Sequence, residues 1–417
     1  MCAAGFPIRR AAMTHGRGVE TLSRRKRILL GVAAVVLAIG VGLAAWEVWT
    51  PGEIQWQATQ VAGMAGWRAD DLVVQHQLGD EVWATRGYTI YRGRAGGPFI
   101  KVATLPCSGL EPAAGCFSTV RQWTGRYDLT EVLPLTPDLA VAFAGGCVYR
   151  VDLKTGASQR VHALRHYGRG IGRGVMALGI ARDEAGAVYY GEYWRNDERG
   201  PVRLYRSDDA GLSWTVACEF APGEVRHIHA VQWDPYGKRL WLASGDNGPE
   251  CRIGYSTDRG STFTWIAQGD QHYRACAFLL RPVDVLWATD TGQNHLMRWT
   301  RQDGRVEVLA DLPSACYYAQ GLDEQRGLLG LAEATATAWL VEPAGQPRKI
   351  FECRTPQGWQ DLGAPPSVRL PRGQARPGQW VYLNPIRTVE YPSTILRVAR
   401  DALLEAKPPP LPAPPAP

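Results

Sequence analysis

Two stretches of this chain decide its fold: SDDAGLSW at Ser207–Trp214 and STDRGSTF at Ser256–Phe263. Both read S-x-D-x-G-x-x-aromatic, and each follows a strand-like run, VRLY before the first and RIGY before the second. In such a turn the aspartate accepts hydrogen bonds from turn amides, the glycine takes a positive φ, and the aromatic ring packs back under the turn. The positions that carry the pattern are Ser207, Asp209, Gly211, Trp214, Ser256, Asp258, Gly260 and Phe263. We therefore predict two hairpin turns of one design.

The two copies begin 49 residues apart, which is a typical length for one four-stranded repeat. Around the first copy, β-rich runs predict strands at 175–181, 188–194, 202–206 and 214–220. Comparable units cover about 227–267, 274–309 and 316–352, and plainer ones cover 71–105 and 129–165. We predict an all-β fold, a β-propeller of six four-stranded blades over residues 52–402. Further strands in 366–400 leave a seventh blade open.

The repeated turn resembles the Asp box, or BNR repeat, of sialidases and related β-propellers. The resemblance covers about 174–300 and is closest to envelope-associated BNR-repeat proteins. The Asp box is a structural turn, so it predicts architecture and no chemistry by itself.

The charge of the chain is concentrated at its N-terminus. The whole sequence has a formal charge of +6, and residues 1–27 contain seven basic residues and one acid. The remaining 390 residues have 39 basic and 39 acidic groups. Because the body is neutral, we expect no nucleic-acid partner.

The residues after this basic tail have the composition of a membrane anchor. Residues 28–46 are nineteen residues without a charge, preceded by Arg24-Arg25-Lys26-Arg27 and ending at a tryptophan. We predict one transmembrane helix, with residues 1–27 cytoplasmic and the propeller on the exported, periplasmic or extracellular side. A cleaved signal sequence is the alternative. Residues 403–417 form a proline-rich tail.

Alignment of the units brings acids and arginines to one face of the propeller. Second strands end in Glu192, Asp246, Asp290 and Glu333, with spacings of 54, 44 and 43 residues. First strands begin after Arg173, Arg226 and Arg274, and the fourth unit has Tyr317 there. The start of one antiparallel strand lies beside the end of the next, so both sets share a face, opposite the two turns.

The resemblance to sialidases gives these residues roles. It implies an arginine triad that holds a sugar carboxylate, here Arg173, Arg226 and Arg274. It also implies a tyrosine nucleophile, Tyr317 or Tyr193, with acidic partners among Glu192, Asp246 and Asp290. Trp194 follows the second strand, where it can stack on a sugar ring. The structural alternative is that the repeated arginines and acids form salt bridges that lock neighbouring blades.

Two histidines occupy one side of a predicted strand, His227 and His229. This spacing can bind a metal together with Asp246. That side of a blade faces its neighbour, so we expect a buried, hydrogen-bonded pair, with His227 near the ligand and with no metal or cofactor.

Two functions follow from these observations. The first is a membrane-anchored exported propeller that recognises acidic envelope glycans, with sialidase-like hydrolysis left open. The second is a non-catalytic scaffold or assembly factor for envelope proteins or polysaccharide machinery. No Phe-Arg-Ile-Pro-like motif is present near the start to carry the first arginine of a sialidase triad.

Overall fold

The structure is a computed structural model, and it describes residues 51–94, 96–106, 115, 118–124, 128–168, 173–358, 365–373 and 380–405. Its strands form seven sheets, and from blade 3 to blade 7 the innermost strands of successive sheets contact one another. The prediction of an all-β propeller is confirmed, and the number of blades is seven.

Blades 2 to 6 each consist of four consecutive strands, ordered from the inside of the ring outwards. Blade 2 has Glu131–Thr136, Leu139–Ala144, Cys147–Asp152 and Ser158–Ala163, and blade 3 has Gly174–Arg182, Val188–Tyr193, Val202–Ser207 and Thr215–Phe220. Blade 4 has His227–Asp234, Arg239–Gly245, Arg252–Ser256 and Thr264–Gln268, and blade 5 has Ala275–Leu280, Asp284–Thr289, Asn294–Thr300 and Val306–Leu312. Blade 6 has Cys316–Gly321, Gly327–Leu331, Ala336–Val341 and Pro347–Cys353.

Blades 1 and 7 are built from both ends of the described chain. Blade 1 has Arg372–Gly373, Val73–Leu78, Glu81–Arg86, Thr89–Arg94, Phe99–Thr104 and, outermost, Glu53–Ile54. Blade 7 has Ser367–Arg369, Trp380–Ile386, Ile395–Ala399, Met64–Ala69 and, outermost, Gln57–Val61. The described helices are short: Ser118–Thr124, Arg400–Glu405 and the 3-10 turns Gly248–Glu250 and Gln271–Tyr273. Antiparallel pairing of 64–69 with 395–399 closes the ring.

The hydrophobic core lies between neighbouring blades rather than within one sheet. Phe143 of blade 2 and Tyr190 of blade 3 are fully buried in one cluster, with ring centroids 5.6 Å apart. Leu204 of blade 3 packs in the next cluster with Leu240 and Leu242 of blade 4. Each blade is therefore stabilised mainly by burial of apolar surface against the next.

The two repeated turns have the hydrogen bonds that their sequence predicts. The Asp209 Oδ1 atom accepts from the Ser213 amide at 2.9 Å, and its Oδ2 accepts from the Ser213 hydroxyl at 2.6 Å. These bonds lower the pKa of Asp209 to about 2. In the second turn Asp258 accepts from the Thr262 amide and hydroxyl at 2.9 and 2.7 Å.

The glycine of each turn is required by packing as well as by conformation. Gly211 and Gly260 have φ of +85° and +83°. A Cβ on Gly211 would lie 2.5 Å from Val141 Cγ2 of blade 2, and one on Gly260 would lie 2.8 Å from Leu204 Cδ2 of blade 3. Each turn thus packs against the preceding blade.

A short segment crosses the centre of the ring. After Ser367–Arg369 the chain pairs Arg372 in parallel with His76 of blade 1. The Arg372 guanidinium donates to the Ala177 carbonyl at 2.8 Å and to the Ile180 carbonyl, both on the inner strand of blade 3. We call residues 369–373 the channel segment, since it pairs with blade 1 and bonds to blade 3, which are not neighbours.

The ends of the chain fall largely outside the described residues. No helix among the residues that the structure describes is long and apolar enough to cross a membrane. The predicted tail at 1–27 and helix at 28–46 lie outside them, as does the proline-rich tail beyond residue 405.

Candidate functional site

The ends of blade hairpins bring arginines and aspartates together on the face opposite the repeated turns. His227 pairs with Gly245, so Arg226 before one strand meets Asp246 after the next. The Arg226 Nη1 to Asp246 Oδ2 distance is 2.7 Å. In blade 5 the Asp290 amide donates to the Arg274 carbonyl at 3.0 Å, and the side chains form an ion pair of 3.0 Å.

These pairs continue from one blade to the next. Arg226 Nη2 lies 2.7 Å from Asp197 Oδ1 of blade 3, and Arg274 Nη2 lies 3.3 Å from Asp246 Oδ1 of blade 4. We call Asp197, Arg226, Asp246, Arg274 and Asp290 the Arg–Asp row. The two arginine side chains are 22% and 26% exposed. Each arginine therefore bridges an acid of its own blade and one of the preceding blade.

No ion pair among the described residues links Arg173 to the Arg–Asp row. Burial lowers the pKa of Arg173, with Asp128 raising it and Arg369 lowering it. Its charged neighbours thus belong to the segment before blade 2 and the channel segment. The structure brings together two of the three predicted ligand-binding arginines.

Tyr317 forms a pair with an acid of its own blade. Its hydroxyl donates to Glu333 Oε1 at 2.7 Å. Burial, together with Asp290 and Glu333, raises the pKa of Tyr317 far above its ordinary value. A phenol in this environment is a hydrogen-bond donor, and its acidic neighbours do not favour the phenolate that a tyrosine nucleophile requires.

Glu192 and Trp194 are both buried in blade 3. Glu192 is 1% exposed, and it accepts a hydrogen bond from the Arg203 amide at 2.9 Å. Burial raises the pKa of Glu192 to about 7, although Arg165 Nε lies 3.4 Å from its Oε1. Trp194 is 5% exposed and stacks on His166 with ring centroids 4.1 Å apart. Its indole is thus occupied by protein contacts.

Two histidine rings converge on Asp246. The Nε2 atoms of His227 and His229 are 2.9 Å apart, and they lie 3.2 and 3.1 Å from Asp246 Oδ1. Both rings are buried, and the Tyr193 ring lies 4.2 Å from that of His227. Burial lowers the pKa of His227, while burial of Asp246 is outweighed by the two histidines, which lower its pKa. The predicted buried histidine pair is present, and these three residues could hold a metal ion.

Several residues of this face were not predicted. Asp197 lies in a polar loop with no repeat partner, so the sequence offered no signal for it. Cys276 Sγ lies 3.7 Å from Asp290 Oδ2 and 4.0 Å from His229 Nδ1. Gln271 donates to the Asp246 carbonyl at 2.8 Å. The only indication in the sequence was that Gln271 and Cys276 lie three residues before and two residues after the predicted site residue Arg274.

Comparison with known proteins identifies the fold alone. No protein-family model and no curated protein matches the chain. Among solved structures, an oligogalacturonate lyase in complex with manganese has a TM-score of 0.54 at 9% identity, covering 84% of this chain and 98% of that chain. An oligogalacturonate lyase from Vibrio parahaemolyticus has a TM-score of 0.53 at 7% identity, covering 82% and 96%. A chain of the mitotic checkpoint complex has a TM-score of 0.51 at 11% identity, covering 78% and 88%. Their likeness supports the propeller, and the sialidase family remains a resemblance.

Proposed function

We propose that this chain is a propeller that recognises acidic glycans at the Arg–Asp row. The observation that carries the proposal is that Arg226 and Arg274, each about a quarter exposed, are held side by side by Asp197, Asp246 and Asp290. Guanidinium groups held in place by carboxylates lose little side-chain entropy when they bind a further carboxylate through paired hydrogen bonds. The acidic partners thus orient the arginines.

The names of two structures with this fold are in line with an acidic sugar ligand. Both are oligogalacturonate lyases, which act on a polymer of a uronic acid. A uronic acid and a sialic acid each present one carboxylate beside hydroxyl groups. We propose either class as the ligand, with the carboxylate on Arg226 and Arg274 and Tyr317 near the same face.

One observation favours the scaffold alternative. Arg226 and Arg274 already bridge two carboxylates each, so a ligand must share donors that the protein uses. Ion pairs of this kind are sufficient to fix neighbouring blades. In that case the face would bind no sugar, and the propeller would act through protein partners.

Binding of acidic oligosaccharides separates the two functions. The folded protein is applied to an array that contains galacturonate, glucuronate and sialic-acid oligosaccharides, and the Kd of the best ligand is measured by calorimetry. We expect Arg226→Ala and Arg274→Ala to weaken binding at least about tenfold, because each removes charge-assisted hydrogen bonds of about 1.5 kcal/mol or more. Arg203→Ala is the matched control, since it removes an arginine ion pair with Glu219 on the outer strands of blade 3. A blank array with correctly folded protein would refute glycan recognition and support the scaffold.

Hydrolysis and location have tests of their own. We propose that recognition occurs without hydrolysis, because Glu192 is buried and the pKa of Tyr317 is raised. Release of reducing sugar without formation of an unsaturated uronate, abolished in Asp290→Asn, would establish hydrolysis instead. We also propose that residues 28–46 anchor the propeller on the exported side. Protease treatment of intact spheroplasts should then digest the propeller and leave a short N-terminal fragment in the membrane.

A further inference from the structure

Asp246, at the centre of the Arg–Asp row, and the two histidines beside it form a nearly equilateral set of donor atoms. The distances among His227 Nε2, His229 Nε2 and Asp246 Oδ1 are 2.9, 3.2 and 3.1 Å. Three donors on one face of an octahedron lie about 3.0 Å apart when each is about 2.1 Å from the central ion. The corresponding separation in a tetrahedral site is about 3.4 Å. The triangle therefore has the size of an octahedral face.

The proton positions in this cluster point to a cation. His227 Nδ1 lies 2.8 Å from the Trp194 carbonyl oxygen, so it must donate, and the Nε2 of a neutral His227 ring has a lone pair. The Nε2–H of His229 can then be directed at His227 or at Asp246, not at both. When both rings are neutral, the 3.2 Å contact between His227 Nε2 and Asp246 Oδ1 consequently brings two lone pairs together. A cation at equal distances from the three atoms removes this repulsion.

A second layer of contacts holds the three donors in place. The Trp194 carbonyl fixes the ring of His227, which also packs on Tyr193. Asp246 is held through its Oδ2 by Arg226 at 2.7 Å. A Cβ on Gly245 would be 3.4 Å from His229 Cε1 and 3.3 Å from the Arg274 side chain, so both side chains pack closely over this glycine. Metal-binding histidines usually have such partners on the second ring nitrogen.

The local charge accommodates a divalent ion. The Arg–Asp row has three carboxylates and two guanidinium groups, and the two histidines are neutral when they act as ligands. The row without an ion thus has one formal negative charge, and a divalent ion makes it positive by one. We propose that His227, His229 and Asp246 bind one divalent first-row transition-metal ion. Two imidazoles and one carboxylate leave other coordination positions for water or an anionic ligand, and this ligand set favours Zn²⁺, Mn²⁺, Fe²⁺ or Co²⁺ over Ca²⁺ and Mg²⁺.

Metal binding is measured without any sugar, so its outcome is independent of the proposed function. The full chain is purified through a tag without histidine, treated with a chelator and exchanged into metal-free buffer. Calorimetric titration with Zn²⁺ alone should give one ion per chain, and Mn²⁺ should bind to the same site in competition. We expect His229→Ala and Asp246→Asn to weaken Zn²⁺ binding at least about tenfold, as loss of a direct ligand has at least the effect of losing a second-layer partner.

His272→Ala is the matched control. It removes a histidine that pairs with Asp270 at 2.5 Å and stacks on His295, away from the proposed ligands. This variant should bind Zn²⁺ with unchanged affinity. The parent chain alone provides a second test if a variant fails to fold, since saturating Zn²⁺ should raise its Tm and a chelator should reverse the rise. The proposal is overturned if the parent chain shows neither binding heat nor a Tm shift, or if folded His229→Ala and Asp246→Asn bind as the parent does.

Discussion

Replacement of Glu131 by glutamine should change how the stability of the propeller depends on pH. Glu131 is fully buried on the inner strand of blade 2, where Arg369 of the channel segment lies 3.3 Å from its Oε2. Burial raises the pKa of Glu131 to about 7, with Arg369 and Arg372 offsetting part of the rise. The folded protein consequently binds a proton that the unfolded chain releases near pH 4.5.

The sign and size of the effect follow from this difference in pKa. Between pH 4.5 and pH 7 the folded state binds more protons than the unfolded state, so stability falls as the pH rises. The loss from Glu131 between pH 5 and pH 8 is about 2.5 kcal/mol. His76 acts in the opposite direction, because burial and then Arg372 lower its pKa to about 3. The stability of the parent chain alone therefore does not report on Glu131.

The measurement is the difference between parent and Glu131→Gln, in which His76 is unchanged. Urea titrations at pH 5 and pH 8 give the free energy of unfolding of both proteins. We expect the variant to gain about 2.5 kcal/mol relative to the parent between the two pH values. Glu219→Gln, at a half-exposed position, should show no such gain. A difference between parent and Glu131→Gln that is constant from pH 5 to pH 8 would refute a carboxyl group with a raised pKa in the channel.

Three further predictions concern stability. Gly211→Ala should lower the free energy of unfolding by about 1–3 kcal/mol more than Gly223→Ala, because both glycines have φ near +85° but only Gly211 faces a close contact. Equal losses in urea unfolding of the two variants would contradict the role of that contact. Asp209→Ala should lower the free energy of unfolding by about 1–2 kcal/mol at pH 7, and this loss should shrink as the pH falls from 4 towards 2. Asp208→Ala should have little effect. A loss for Asp209→Ala that is equal at every pH would contradict the role of the carboxylate. Arg372→Met should lower the Tm, because two carbonyls on the inner strand of blade 3 lose their donor, and an unchanged Tm would mean that water replaces the guanidinium.

The parts of the fold that the sequence predicts are those set by local chemistry. The turn at 207–214 has its own hydrogen bonds, and the four strands predicted around it in blade 3 end within one residue of the observed ones. The outer strands of blade 7 at 57–61 and 64–69 were not predicted, since 64–69 joins the blade through 395–399, more than 300 residues away. Channel-segment residues 372–373 form a strand of two residues, too short to have a period.

The site was predictable in position but not in detail. Strand register correctly placed Arg226 with Asp246 and Arg274 with Asp290, because antiparallel pairing determines which ends meet. The burial of Glu192 and Trp194, and the direction of Arg173 towards the channel segment, depend on contacts between blades. The alternation of apolar and polar residues along a single strand contains no information about contacts with another blade.

Blade 7 cannot close during synthesis until strand 395–399 has been made. Strands 57–61 and 64–69 form a hairpin, and the partner of its second strand, 395–399, is made more than 300 residues later. At about 5–20 residues per second the delay is roughly 16–65 s. During that interval the early hairpin has an unpaired edge that can add strands from other chains. The edge stays unpaired until residues 395–399 have been translated, and a chain that stops before them would keep it unpaired.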